Sequence, residues 1–464
     1  MLMSKIRRFV FASVVAIAVV AAVVSSVAGI RALRIAAAAT SKTLCSATFV
    51  SGVSADQVFQ EELHPQMRSI GWGVRYHVDR KRKRVVSRVL GLFTTRALYH
   101  PVYGCVLADN TFAFPEDDVG KLQSAGNGAD VHQGAVPLPL SSKKMKSALD
   151  LAFSEPDPLR PRHTKAVLVW HKGGLVAERY APGYGPETKI WAHSVTKSIA
   201  HALTGVLVQK GLLELNRPLQ SSVWNVRVDE RKRAVTADHL LRMTSGLPFD
   251  ETGSIFDLSH RMFFSTADMA HFAGGLSLSS KPETTWQYSN AGYVLLGRIA
   301  RDLSGGTAES VFKFMKEELF EPVGMHHTAI ELDSTGTPVL GSHAYASARD
   351  LARLGQLYLD DGVVDGEQIL PPGWAAHARA QTLDTGYGAG FWTMHAQDRT
   401  VPVWETPWGL PGLPEAAYFG RGALGQYLIV LPDEELIIVR LGTSVHYGTG
   451  IDQLVSAVRE AVVQ

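Results

Sequence analysis

Strand-like text stands at both ends of the segment from Lys143 to the C-terminus, with helical text between, and this limits the folds open to it. Lys165–His171 and Leu175–Ala181 flank the Gly173-Gly174 pair, which is a hairpin signature. Ala417–Gly422, Tyr427–Leu431 and Leu436–Leu441 come near the end of the chain, the last two joined by a Pro432-Asp433 turn and rich in β-branched residues. Between these ends, Ser194–Lys210 carries Ile199, Ala202, Leu203, Val206 and Leu207 at a helical period, with Gly211 where a C-cap is expected. Thr236 is placed to cap Asp238–Thr244, and Ser265 or Thr266 to cap a helix through Ala273. Further helices are expected at Ala291–Leu303, from Ser347 through Leu359, and at Ile451–Val463. Such an order calls for one sheet assembled from distant segments with a helical lobe inserted between them, an α/β unit.

At 464 residues the chain exceeds what one core usually supports, so a second, smaller unit is expected. The formal charge of +2 gives no electrostatic basis for binding nucleic acid. The organisation expected is residues 1–42 as a membrane anchor or signal segment, 43–122 as a small module, 123–142 as a linker, and 143–464 as the main unit. The module reads as helical near Ala55–Met67 and β-rich around Val85–Leu98. Its basic cluster, Arg75, Arg80–Arg84 and Arg88, suits a solvated hairpin tip or, close to a membrane, anionic headgroups.

Lys5, Arg7 and Arg8 precede an uncharged stretch, Phe9–Ile30, that ends at Arg31. That stretch is long enough to span a bilayer and longer than the apolar part of a cleavable signal. The expectation is a single-pass anchor in the cell membrane with the main unit on the extracytoplasmic side. Ala36–Ala39 offers a cleavage site for the alternative, and basic residues on both flanks leave orientation weakly determined. Cys45 and Cys105 are the only cysteines; an even count after such a segment suits a disulfide in an oxidising compartment, two separate thiols being the alternative.

A serine and a lysine three residues apart at a helix start share one face, so a neutral amine can take the hydroxyl proton. Three such pairs occur: Ser141 with Lys144, Ser194 with Lys197, and Ser310 with Lys313. The first lies in the linker and the third in a charged helix, where the amine keeps its water. Ser194 opens the most apolar helix, where burial can depress the lysine pKa. Tyr288-Ser289-Asn290 then opens the Ala291–Leu303 helix, supplying a phenol able to relay a proton and an amide able to hold the lysine or a substrate carbonyl. The structural alternatives are an N-capping serine with a solvated lysine, and a packed tyrosine beside a cap.

Ser194-Val195-Thr196-Lys197, Leu240-Leu241-Arg242-Met243-Thr244-Ser245-Gly246-Leu247 and Tyr288-Ser289-Asn290 together resemble the penicillin-recognising serine hydrolases. Within that superfamily they look like the class C β-lactamase-related branch, which includes esterases, D-amino-acid peptidases and nylon-oligomer (6-aminohexanoate-dimer) hydrolases. The resemblance covers roughly Lys143 to the C-terminus. It implies a β-lactamase/DD-peptidase-like antiparallel sheet flanked by helices with an inserted helical lobe, no metal and no cofactor, and a small ester, amide or peptide as substrate. It also implies Ser194 as nucleophile, Lys197 as general base, Tyr288 as proton shuttle and Asn290 in support. The family's third motif, Lys-Thr-Gly or His-x-Gly, is absent in that form; Gly420-Arg421-Gly422 stands in its place, so that Arg421 could supply the cation. Backbone donors at Ser194 and near Gly422 and Ala423 would then form the oxyanion hole. This departure points away from β-lactam turnover and toward an esterase or amidase.

Other patterns fail on context. Gly420-x-Gly422-x-x-Gly425 leads into a strand instead of a helix, which removes the dinucleotide reading. There is no Gly-x-Ser-x-Gly elbow and no His-Glu-x-x-His motif. Trp392, Trp404, Trp408 and Tyr418 are candidates to line a substrate cleft or to fill the core. The altered third motif leaves one rival from another class, a catalytically inactive member of the same fold serving as an envelope binding or scaffolding protein.

Overall fold

The computed structural model describes residues 13–14, 26–67, 69–108, 114, 143–221, 223–445 and 449–462. The expected linker at 123–142 lies outside them, as does most of the Phe9–Ile30 stretch. Among the described residues no helix is long and apolar enough to cross a membrane.

Helix α1 (Val27–Phe49) begins at Ser26, whose Oγ accepts from Gly29 N at 2.9 Å. Its alanine-rich middle is short in side chain, so the helix lies close on a four-stranded antiparallel sheet; Ser87 Oγ reaches its backbone at Ala37 O, 2.6 Å away. The strands are β1 (Val74–Asp79), β2 (Arg84–Val89), β3 (Phe93–His100) and β4 (Gly104–Ala108), in the order β1-β2-β3-β4. Leu33, Ala36, Ala37, Leu44, Val85, Val89 and Ala97 form the shared core. A disulfide between Cys45 and Cys105 joins α1 to β4, with the two Cα atoms 6.0 Å apart. The boundary expected at residue 43 therefore falls inside α1, and Ala36, Ala37 and Ala38, of the alternative cleavage site at Ala36–Ala39, are buried in that helix. The Ala55–Met67 segment is helical with a π turn, Phe59–Leu63, at its middle. Arg80, Lys81, Arg82 and Lys83 are exposed at the β1–β2 turn, a solvated tip at which Asp79 pairs with Arg84 at 3.1 Å.

The main unit opens with α2 (Lys143–Ala152), followed by the hairpin of β5 (Thr164–His171) and β6 (Gly174–Tyr180). A short strand β7 (Ile190–Trp191) leads into α3 (Thr196–Gln209). The helical lobe follows and includes α4 (Asn290–Leu303), capped by Ser289 through Gly292 N at 3.2 Å. Next come β8 (Thr328–Ile330), β9 (Ala344–Ala346) and α5 (Ala348–Leu359), the last capped by Ser347. The chain closes through β10 (Trp392–Thr393), β11 (Tyr418–Gly422), β12 (Gln426–Leu431), β13 (Leu436–Gly442) and α6 (Ile451–Val462).

The large sheet has the order β10-β11-β12-β13-β5-β6 and is antiparallel throughout. Strands from the two ends of the unit meet at its centre, where Val439 lies opposite Leu168. Residues Thr196 through Leu207 of α3 are all buried. This helix packs against α4 on the lobe side and β11 on the sheet side, which puts its first turn at the junction of the two layers. A second, three-stranded sheet, β7-β9-β8, sets the β8–β9 connection beside the turn that precedes α3.

One expected helix start and one expected helix end differ. Asp268, not Ser265 or Thr266, caps the Met269–Gly274 helix by accepting from His271 N at 2.8 Å. Thr236 does cap its helix, but this ends at Leu241, and Met243 takes a left-handed φ of 59° that turns the chain.

Candidate active site

Ser194 lies in a single 3-10 turn, His193–Val195, between β7 and α3. His193 takes a left-handed φ of 46°, and its ring stacks on Trp191 with centroids 3.9 Å apart. A non-glycine residue in this conformation is held there by its surroundings. Gly422 at the end of β11 closes against the same turn. A Cβ at 422 would lie 2.6 Å from Ala192 O and 3.0 Å from Ser194 N, so the close approach depends on glycine.

Two groups reach the Ser194 hydroxyl. Lys197 Nζ is 3.1 Å from Ser194 Oγ, and Tyr288 donates its phenolic hydrogen to the same oxygen at 2.6 Å. Lys197 Nζ also donates to Asn290 Oδ1 at 2.7 Å and to Gly341 O at 2.5 Å. Asn290 in turn donates from Nδ2 to Asp250 Oδ1 at 3.1 Å and to Glu251 Oε2 at 2.7 Å. With Nδ2 turned to these two carboxyl groups, Oδ1 of the Asn290 amide faces the lysine.

Burial sets the protonation states. Lys197 is 2% exposed, and loss of water lowers its pKa to about 8 against the opposing pull of Glu251 and Asp250. Tyr288 is pushed well above 10, chiefly by burial and then by Glu251, and it keeps its proton at neutral pH. Burial likewise raises Asp250 to about 7, and lowers His193 to about 3 with help from the Lys197 charge. A neutral amine has two hydrogens and one lone pair. With Asn290 Oδ1 and Gly341 O accepting the hydrogens, the lone pair is left for Ser194 Oγ.

Ser194 and Tyr288 line a cavity of about 700 Å³ whose wall includes Trp392, Trp404, Leu410 and Arg421. Gly422 and Ala423 lie on the same wall. The Arg421 guanidinium sits 4.0 Å over the Trp392 ring, and its Nη1 donates to Pro407 O at 3.1 Å. Of the four aromatic candidates, Trp392 and Trp404 face the cavity. Trp408 instead packs on Trp286 and Trp392, and Tyr418 on Phe391. Ser310 serves as the N3 partner in a capping box with Thr307, and Ser141 lies outside the described residues.

Three contributors carried no sequence signal. Asp250 and Glu251 precede Asn290 by two helices, Leu258–Ser265 and Met269–Gly274, and only folding brings them to it. Gly341 acts through its carbonyl, which no side-chain pattern can mark.

Residues 160–460 match the Beta-lactamase family. Over 324 residues the chain is 27% identical to penicillin-binding protein 4 of Amycolatopsis lactamdurans, covering 60% of this chain and 77% of that protein. It is 23% identical over 296 residues to 6-aminohexanoate-dimer hydrolase of Paenarthrobacter ureafaciens, covering 60% of this chain and 72% of that one. In fold it is similar to a family VIII carboxylesterase, with a TM-score of 0.53 at 15% identity over 70% of this chain and 99% of the other. The family match spans most of the chain and contains the whole Ser194 constellation, and the chain belongs to the beta-lactamase family, whose members are serine hydrolases that include esterases, amidases and penicillin-binding proteins.

Proposed function

We propose that this protein is a serine hydrolase that cleaves an ester or amide bond through an acyl-enzyme on Ser194, with Lys197 as general base and Tyr288 as proton shuttle. The observation that carries the reading is the meeting of a buried amine and a protonated phenol on one hydroxyl oxygen, at 3.1 and 2.6 Å. In acylation Lys197 Nζ takes the Ser194 proton as the oxygen bonds to the substrate carbonyl carbon. The tetrahedral oxyanion faces the backbone N–H groups of Ser194 and Ala423, each such donor contributing about 2.7–4 kcal/mol in the transition state. Its collapse breaks the bond to the leaving group, which takes its proton from Tyr288, and the proton held on Lys197 restores the phenol. Water then attacks the acyl carbon by the reverse order of transfers and releases the acid.

Asn290 holds Lys197 in place, and Arg421 provides a cation at the cavity wall where the family's third motif has a lysine or histidine. The apolar surfaces of Trp392, Trp404 and Leu410 suit a substrate with an apolar acyl or leaving group. Extracytoplasmic placement behind an N-terminal anchor remains part of this reading. Its support is the flanked apolar stretch Phe9–Ile30 and the pairing of Cys45 with Cys105. Fractionation of cells expressing the full chain tests it; protein released in the soluble fraction without detergent would count against an anchor.

A fluorophosphonate probe should label the wild-type protein, and Ser194→Ala should abolish both labelling and p-nitrophenyl ester hydrolysis. Wild-type protein that is folded but neither labelled nor active would favour the non-catalytic alternative.

A further inference from the structure

The connection between β8 and β9 joins the small module to the lysine. Near its end, Gly341 O accepts from Lys197 Nζ at 2.5 Å. A Cβ at 341 would come within 3.1 Å of Asn290 O and 3.2 Å of Asn290 Oδ1, so a side chain here would press on the residue that also holds Lys197. At its start, Glu331 is 1% exposed, and its carboxylate is gripped from the module: Oε2 by Lys42 Nζ at 2.5 Å, and Oε1 by Ser46 Oγ at 2.7 Å and Cys105 N at 2.8 Å. Lys42 and Ser46 stand one turn apart on α1 and Cys105 lies on β4. Leu332 N adds a bond to Tyr103 O at 2.9 Å.

The connection closes on Glu331. Glu331 N donates to His343 O at 3.0 Å, Val339 N to Glu331 O at 3.0 Å, and His343 N to Val339 O at 3.0 Å, which brackets Gly341 on both sides. A carboxylate at this depth is tolerated only with its cation and donors in place, so the seating of α1 and the shape of this loop depend on each other.

We infer that the N-terminal module is a positioning element of the active site: Lys42, acting through Glu331, holds the 331–343 loop so that the Gly341 carbonyl fixes the direction of the Lys197 amine. The inference rests on the reading of Lys197 as base. Lys42, Ser46 and Cys105 lie outside residues 160–460, the part matched to the family. Neither Lys42 nor Glu331 contacts the reacting groups; their effect passes through backbone.

The test uses the full chain with p-nitrophenyl ester as substrate and the fluorophosphonate to titrate active sites. Lys42→Met should lower kcat per titrated site by about tenfold or more with KM near wild type, the loss expected of a displaced catalytic group. The acid limb of its kcat/KM profile should move as well, because Lys197 has lost a fixed acceptor. Ser46→Ala removes one bond to Glu331 and keeps the ion pair, so it should shift both in the same direction by less, and it serves if Lys42→Met does not fold. Val85→Ala, a cavity in the module core at a residue that makes no hydrogen bond to Glu331, is the control; it should lower thermal stability and leave kcat per site unchanged. Folded Lys42→Met and Ser46→Ala with wild-type kcat and acid limb would overturn the inference, as would an equal loss in Val85→Ala. If Ser194→Ala still turns over, the catalytic reading itself falls; if it is inactive while the Lys42 and Ser46 variants match wild type, only the positioning role falls.

Discussion

Tyr288 donates its hydrogen to Ser194 Oγ across 2.6 Å, so the phenol enters the site as a proton donor. Burial keeps its pKa well above 10, which leaves Lys197 as the neighbour able to take the serine proton near neutral pH. Tyr288→Phe should therefore lower kcat by about 10²–10⁴-fold, the usual range for a lost general acid or base. Fluorophosphonate should still label Ser194 in this variant, since Lys197 remains. Steady-state kinetics and labelling on one preparation check both.

The proposed role of Lys197 sets a pH profile. A base at this position works only when neutral, and the lysine pKa is lowered to about 8, so kcat/KM should rise with pH and level off above about 8. Glu251 and Asp250 both favour the ammonium form. Removing a negative charge with Glu251→Gln disfavours that form, lowers the lysine pKa, and should move the acid limb to lower pH. A limb that moves to higher pH would contradict the assignment.

Gly422→Ala should disturb the Ser194 turn directly. The added methyl would lie 2.6 Å from Ala192 O and 3.0 Å from Ser194 N, too close without backbone movement. Overpacking of this kind costs about 1–3 kcal/mol, visible as a lowered melting temperature. Activity should fall further than stability because the displaced Ser194 N–H is one of the proposed oxyanion donors.

Arg421 is the test of the altered third motif. If its guanidinium serves substrates, Arg421→Ala should raise KM for a carboxylate-bearing ester by roughly tenfold relative to a neutral isostere, as expected for a charge-assisted hydrogen bond. An unchanged ratio between the two esters would leave Arg421 a structural residue, held over Trp392 and bonded to Pro407 O.

Much of the site was legible because it is written in side chains at short spacing. Ser194 and Lys197 share one helical turn, and Tyr288 and Asn290 flank a capping serine, so periodicity and capping rules locate each group. The sheet was legible for a related reason: β5, β12 and β13 are buried along nearly their whole length and read as apolar runs. What failed to show was whatever depends on approach between distant segments. Asp250 and Glu251 stand in none of the motifs that mark the site, and Gly341 contributes only its backbone. The start of the small module was also misplaced, since an alanine-rich helix over 27–49 resembles the flank of a targeting segment until its packing on β2 and β3 is seen.

The pairing of β13 with β5 has a consequence for synthesis. The first strand of the large sheet leaves the ribosome early, yet its partner toward the sheet centre is the last strand made. Ser194 and Gly422 consequently reach their final spacing only after the chain through Gly442 has emerged. Sheets with such non-local closure are slow to form. Shortening the chain into Leu436–Gly442 would split the sheet through its middle, whereas loss of an edge such as β10 would only fray it.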